Sequence, residues 1–133
     1  YKWLEKQLDA SQQTKDYTIV LLHHPPFSSG SHAEDPKKIQ KTIIPLFEKY
    51  GVDAVFSGHN HMYERLNANS INYFITGGGG APLHKSKHKS QYSKLVNICY
   101  NYCVIEKKDK DLCVTAYNLN DSIIDSINII PKQ

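Results

Sequence analysis

The sequence VDAVFSGHNHMYER, residues 52–65, decides how this chain folds. Its apolar start, Val52–Phe56, predicts a short buried strand of the kind found in parallel sheets, and Ser57-Gly58 ends that strand. Two histidines, His59 and His61, follow at the carboxyl end, which is where ligands bind in α/β sheets. Neutral imidazole is the most common metal ligand among side chains. The pattern therefore predicts either a metal site or a polar loop that ends the strand.

A second apolar stretch, Tyr17–Leu22, has the same arrangement. It also ends in histidine, in the sequence HHPPFSSGSH of residues 23–32. Two buried strands that are joined by a helix and followed by histidines form a β-α-β unit with one polar rim. We therefore expect the histidines of both segments at the same edge of the sheet.

Helix signals stand before and between these two strands. Residues 1–8 predict the end of an amphipathic helix, and residues 11–14 predict the loop that follows it. Asp35-Pro36 predicts a helix start, with aspartate as the N-cap and proline in the first position. Pro45 predicts a kink or restart because proline lacks the amide hydrogen of a helix interior, and Gly51 predicts the helix end.

The rest of the chain predicts further strands. Ile71–Thr76 predicts a third strand, and Gly77–Gly80 predicts a tight turn beneath a crowded site, because no Walker-type helix or Lys-Ser/Thr pair follows. From residue 95 the alternation of apolar residues predicts an antiparallel meander. Its first strand includes Val96–Val104, and its last strand is Ile123–Ile130.

Composition and charge exclude several classes of protein. With 133 residues, 40% hydrophobic and 22% charged, the chain fits one globular domain. A net charge of +3 and a lysine-rich loop without an aromatic stacking platform argue against nucleic acid as a partner. No run of 18 apolar residues predicts a membrane span. Three cysteines without a CxxC motif predict small buried side chains, and pairing of Cys113 with Cys99 or Cys103 is the alternative.

The two histidine-bearing segments, LLHHPPFSSGSH and VDAVFSGHNHMYER, together resemble a known family. They are similar to the C-terminal metal-binding half of the calcineurin-like metallophosphoesterases, most closely in the purple acid phosphatase branch. Gly-His-x-His followed by Tyr-Glu-Arg is the specific part, and the resemblance extends from about Tyr1 to at least Gly80. It implies an α/β fold, a layered αββα sandwich. Only its second half is expected here, with a mixed sheet and antiparallel C-terminal strands.

The resemblance implies roles for individual residues. His23 and His59 match two ligands of one metal ion, and His61 matches a ligand of a second ion. His32 matches a catalytic histidine that protonates the leaving group. His24 stands where relatives often carry serine. Four residues are expected to bind substrate or to support the site: His24, Asn60, Tyr63 and Arg65.

The carboxylate, tyrosine and asparagine ligands of the family belong to motifs that lie earlier in its chains and are absent from this sequence. We therefore expect residues 1–133 to be the C-terminal part of a single metallophosphoesterase domain, without the N-terminal half that carries the carboxylate ligands. Among the acidic residues of this chain, Glu64 lies nearest to the histidines, and we expect it to have a structural role.

The function that the resemblance implies is hydrolysis of phosphomonoesters by a metal-bound hydroxide at a binuclear centre, as in acid phosphatases. The expected ions are iron with zinc, manganese or a second iron, although histidine ligands alone do not decide between them. The expected partners are a small phosphate ester and the missing half of the domain, with no nucleic acid and no membrane. The resemblance allows a secreted or lumenal location, which the sequence does not determine.

Two alternatives to this function stay open. One is a non-catalytic fragment or degenerate relative that binds a metal or a partner. The other is a phosphodiesterase or nucleotide hydrolase of the same superfamily. In all three cases the isolated chain is expected to be inactive, because half of the metal ligands are missing.

Overall fold

The structure, a computed structural model, describes residues 1–14, 17–31, 36–86 and 88–130. None of the helices in these ranges is long and apolar enough to cross a membrane. In chain order the elements are α1 (Lys2–Thr14), β1 (Ile19–Leu22), α2 (Pro36–Thr42), α3 (Ile44–Lys49), β2 (Ala54–Ser57), β3 (Tyr63–Ala68), β4 (Ile71–Thr76), β5 (Ser93–Asn97), β6 (Asn101–Lys108), β7 (Asp111–Asn118) and β8 (Ile123–Ile129).

The described strands form two sheets. The first has the order β1-β2-β4-β3-β5, in which β1, β2 and β4 are parallel and β3 runs antiparallel to β4 and β5. The second contains β6, β7 and β8 as an antiparallel meander. The predicted α/β fold with a mixed sheet and antiparallel C-terminal strands is confirmed.

The first sheet is covered on both faces. On one face, Leu8 of α1 and Phe47 of α3 pack with apolar side chains of the sheet such as Val55. On the other face, the rings of Phe56 and Phe74 stack with centroids 4.7 Å apart and pack with residues of β7 and β8. The described residues therefore supply a helical layer and two sheets of the sandwich.

The helices differ from the sequence prediction at one end. The expected loop at residues 11–14 is wrong, because α1 continues to Thr14. The Ser11 hydroxyl donates a hydrogen bond to the Leu8 carbonyl at 2.7 Å, an arrangement in which a helix accommodates serine. The predicted restart at Pro45 is confirmed by the break between α2 and α3, and Gly51 ends α3 with a φ of 56°. Asp35, the predicted N-cap, lies outside the described residues.

The strands differ from prediction in two places. Ile71–Thr76 coincides with β4, but the sequence analysis missed β3 altogether. The predicted single strand through Val96–Val104 is wrong, since β5 and β6 are separate strands in different sheets. All three cysteines are free thiols, so Cys113 does not pair with either of the others.

Candidate metal centre

The carboxyl ends of β1 and β2 form the floor of the site. The two strands are parallel neighbours, and their last residues, Leu22 and Ser57, are in register. The backbone N–H of Gly58 then donates to the carbonyl oxygen of His23 at 3.1 Å. The segments that carry His23 and His59 therefore leave the sheet side by side.

The turn after β2 has an unusual backbone. His59 has a φ of 61°, in the left-handed region that residues other than glycine seldom adopt. Two hydrogen bonds within the turn hold it there, from the Asn60 N–H to the Gly58 carbonyl at 2.7 Å and from the Met62 N–H to the Asn60 carbonyl at 2.8 Å. Backbone strain of this kind concentrates at functional sites, where the surrounding structure maintains it.

The glycine run after β4 passes directly beneath this turn. The Gly77 N–H donates to the Met62 carbonyl at 3.2 Å. A Cβ atom at Gly77 would collide with the carbonyl of Asn60. The glycine run therefore passes beneath a crowded site, as predicted, but with bends rather than a tight turn.

Three histidines converge above the two strand ends. The ligand nitrogens of His23, His24 and His59 all lie within 4.8 Å of one another. Two nitrogens that share a tetrahedral ion at 2.0–2.1 Å lie roughly 3.4 Å apart, so a small movement would let them share an ion. Among the described residues, no carboxylate or cysteine joins this group.

His61 lies outside the three-histidine group. Its Nδ1 is 2.8 Å from the carbonyl oxygen of Pro82. Because a carbonyl only accepts hydrogen bonds, Nδ1 carries the hydrogen and Nε2 keeps its lone pair. The ring also stacks on His84 with centroids 3.9 Å apart, and the His61 N–H donates to His84 Nδ1 at 3.2 Å. This orientation and tautomer suit a metal ligand that binds through Nε2.

His84 is a neighbour of His61 that was not predicted from the sequence. The residue comes from the loop that follows the glycine run, and its own N–H donates to the His61 carbonyl at 3.0 Å. The His61–His84 pair thus depends on the path of a loop 23 residues further along the chain. No local sequence signal predicts such a pair.

A buried carboxylate supports the site from below. Glu64 is fully buried and accepts hydrogen bonds from the Ser29 N–H at 2.8 Å and the Ser29 hydroxyl at 2.6 Å. The Ser28 hydroxyl, 3.4 Å from the same carboxylate, accepts from Asn60 Nδ2 at 3.0 Å. The network joins the loop after β1, the histidine turn and β3. Glu64 thus has a structural role, as predicted.

Tyr63 and Arg65 both contact Asp125 of the second sheet. The Tyr63 hydroxyl donates to Asp125 Oδ2 at 2.8 Å, and Arg65 Nε donates to the same oxygen at 2.6 Å. Burial and the hydrogen bond to Asp125 raise the pKa of Tyr63 well above its usual value. These two side chains therefore connect β3 of the first sheet to β8 of the second.

Comparison with known proteins bears on this arrangement. Residues 1–63, which include both strand ends and all of the histidines described above except His84, match the family model of the calcineurin-like phosphoesterases. The histidine-bearing part of the chain is thus similar to the calcineurin-like phosphoesterases. The resemblance seen in the sequence is thereby confirmed.

Curated relatives of this chain include purple acid phosphatases. The chain is 38% identical over 87 residues to a purple acid phosphatase of Glycine max, which is 63% of this chain and 19% of that protein. It is 36% identical over 78 residues to tartrate-resistant acid phosphatase type 5 of Rattus norvegicus, which is 58% of this chain and 23% of that protein. The chain thus spans about a fifth of the length of the curated relatives it matches.

Two solved structures share the fold. Purple acid phosphatase PPD1 of yellow lupin has a TM-score of 0.81 and 22% identity, over 98% of this chain and 28% of that one. GAP50, described as the anchor in the inner membrane complex of Plasmodium, has a TM-score of 0.90 and 23% identity, over 98% of this chain and 41% of that one. At these identities the likeness shows the fold.

The other residues predicted for the site, and the acidic residues near it, lie as follows. Asn60 is fully buried and supports the turn through Ser28. His32, the predicted leaving-group acid, lies outside the described residues. Asp53 is buried at the opposite end of β2, where it accepts the Thr18 N–H at 2.7 Å. The acidic residues nearest to the two strands are thus engaged in structural contacts.

Proposed function

We propose that this chain is the histidine-bearing C-terminal part of a metallophosphoesterase domain that hydrolyses phosphomonoesters. The observation that carries the proposal is the convergence of His23 and His59, whose ligand nitrogens lie within 4.8 Å at the ends of two adjacent parallel strands. The match of residues 1–63 to the calcineurin-like phosphoesterase family model and the similarity to purple acid phosphatases support this reaction class.

The proposed centre holds two metal ions. His23 and His59 would bind one ion, and His61 would bind the other through Nε2. Iron paired with zinc, manganese or a second iron is the proposed composition, and one relative from Arabidopsis thaliana is named Fe(3+)-Zn(2+) purple acid phosphatase 12. When bound, such ions polarise phosphoryl oxygens and lower the pKa of a bound water.

The protein's own residues orient the metal ligands and supply a proton to the leaving group. The hydrogen bond from His61 Nδ1 to the Pro82 carbonyl fixes the orientation of the ring. The Glu64 network holds the loop after β1, which leads toward His32. We assign His32 the transfer of a proton to the leaving-group oxygen, a role worth about 10²–10⁴-fold in rate.

The carboxylate ligands would come from the N-terminal half of the same domain. Within the described part of the chain, β1 is an edge strand of the first sheet, and Leu21 on it is 77% exposed. Trp3 and Leu21 line a groove between α1 and β1. An apolar edge of this kind is a site for further pairing. We propose that the rest of the domain covers this edge. The other proposed partner is a small phosphate ester, and neither nucleic acid nor a membrane is proposed as a partner.

A non-catalytic relative is the second candidate. The observation in its favour is that no carboxylate joins the three histidines in the described residues, because Glu64 and Asp53 bind serine and backbone groups instead. GAP50, which shares the fold, is described as an anchor. In that case the histidines would bind a metal or a partner without turnover.

Metal analysis and hydrolysis of para-nitrophenyl phosphate by the full-length protein test the proposal. His59→Ala and His61→Ala should each release one ion and abolish turnover, whereas His88→Ala, in an exposed loop, should retain both. A full-length protein without turnover would favour the non-catalytic candidate. Faster hydrolysis of bis(para-nitrophenyl) phosphate would indicate a phosphodiesterase. The isolated 133-residue chain should bind at most one ion and show no turnover.

A further inference from the structure

We propose that His24 is a third protein ligand of the ion held by His23 and His59. The resulting set of three imidazoles would select a nitrogen-preferring divalent ion of the zinc class. This inference rests on the proposed function for His23 and His59. It adds a ligand and a metal preference that the proposed function does not require.

The His24 ring lies at least as close to the rings of His23 and His59 as those two rings lie to each other. The His24 and His59 ring centroids are 4.4 Å apart, which is shorter than the 5.2 Å between His23 and His59. If His23 and His59 can share an ion, His24 is at least as well placed to join them. The three rings are inclined at 50° to 87° to one another, unlike the His61–His84 pair, which is stacked at 20°. Inclined rings can direct their nitrogens to a common point, whereas stacked rings direct theirs along separate planes.

The backbone around His24 is restrained. His24 is followed by Pro25 and Pro26, which are both buried. A residue before proline is restricted to extended conformations, and the proline ring fixes the next φ. The Pro26 carbonyl also accepts a hydrogen bond from Gln40 Nε2 at 2.8 Å. The direction in which the His24 side chain leaves the backbone is therefore set before any ion binds. This restraint reduces the entropic cost of ligation.

The donor set determines the class of ion. Three neutral imidazoles with one open position form the arrangement of catalytic zinc sites with three histidine ligands. Imidazole suits zinc, copper and nickel, whereas magnesium, calcium and manganese favour carboxylate, carbonyl and water oxygens. A third imidazole adds a nitrogen donor to the ligands of this ion, so the three histidines shift the preference at this position from manganese towards zinc, also when the rest of the domain supplies carboxylates.

X-ray absorption at the zinc edge of the full-length protein tests the inference, because it counts the imidazoles bound to the ion. His24→Ala should remove one imidazole from the count. It should also weaken zinc binding, measured by chelator competition, by more than the ~10–100-fold that loss of an outer-shell partner causes. It should reduce the preference for zinc over manganese. His88→Ala is the control, and His24→Asn should reproduce the alanine result with a side chain that is polar and closer in size to histidine.

An unchanged imidazole count in both His24 variants would overturn the inference, whatever the change in affinity. The proposed function has a separate test in His59→Ala. If that variant releases the ion while the His24 variants leave the count unchanged, only the inference about His24 fails. If His59→Ala also keeps the ion, the metal assignment itself fails. Circular dichroism and thermal unfolding establish that each variant is folded.

Discussion

Gly77 lies so close beneath the carbonyl of Asn60 that a Cβ atom does not fit between them. Gly77→Ala should therefore displace the histidine turn, with a cost of about 1–3 kcal/mol from overpacking and a loss of bound metal. Gly79→Ala is the matched control, because a Cβ at Gly79 meets no atom within 4 Å. Urea unfolding and metal analysis of the two variants measure the difference. Equal stability and metal content would contradict the tight contact.

The buried carboxylate of Glu64 provides the second prediction. Glu64→Gln preserves shape but replaces one accepting oxygen with an amide donor that faces the hydrogen-bond donors of Ser29. A buried donor left without an acceptor costs about 1–3 kcal/mol in the free energy of unfolding. Glu106→Gln is the control. It changes an exposed side chain of β6 and should lower stability far less. Chemical denaturation of both variants decides the point, and equal losses would remove Glu64 from its supporting role.

Alkaline pH should destabilise the fold through two buried tyrosines. Burial raises the pKa of Tyr63 and Tyr73, with Asp125 and Glu48 adding smaller contributions. Unfolded tyrosine titrates near pH 10, so the stabilising effect is complete below that pH. Above it, stability declines by about 1.4 kcal/mol per pH unit for each tyrosine.

Tyr73→Phe tests this pH dependence most directly. Within the described part of the chain, the Tyr73 hydroxyl has no hydrogen-bond partner, so its removal should preserve stability at neutral pH. The variant should lose stability less steeply above pH 10 than the parent protein. Tyr1→Phe, at an exposed residue, is the control and should not alter the slope. Identical slopes for Tyr73→Phe and the parent protein would exclude Tyr73 as a source of the alkaline effect.

His32 can be tested by the leaving group of the substrate. In the full-length protein, His32→Ala should lower kcat for esters with poor leaving groups by about 10²–10⁴-fold, because these need a proton. Esters with good leaving groups should lose less. A similar loss of kcat for both kinds of ester would instead indicate that His32 binds the substrate.

Much of the fold could be predicted from local signals. The apolar run Ile71–Thr76 predicted β4 because a buried strand needs no partner information to be recognised. β3 was missed because Glu64 and Arg65 place charge inside a central strand. Glu64 accepts hydrogen bonds from Ser29, and Arg65 forms an ion pair with Asp125; both partners lie far away in the sequence. The division between β5 and β6 was missed because the alternation of apolar residues continues across it.

The candidate site could be predicted only in part. The positions of His23 and His59 at strand ends follow from the sequence, because His23 directly follows an apolar run and His59 follows another after Ser57-Gly58. The proximity of His24 to them depends on side-chain directions that a sequence pattern does not contain. The same is true of His61, whose neighbour His84 is brought close by a loop. The metal-binding roles of His23, His59 and His61 remain predictions, as do those of His32 and the supporting residues.

The bond between Tyr63 and Asp125 has a consequence for the order of folding. Its partners are 62 residues apart, and Tyr17 reaches 112 residues to the carbonyl of Ile129. Contacts of such long range slow the folding of a domain, because loop closure precedes any gain from them. During synthesis, the histidine segments leave the ribosome well before β8. Until β8 has been synthesised, these segments form an intermediate that lacks its contacts with the second sheet. Chaperones would therefore matter most at this stage.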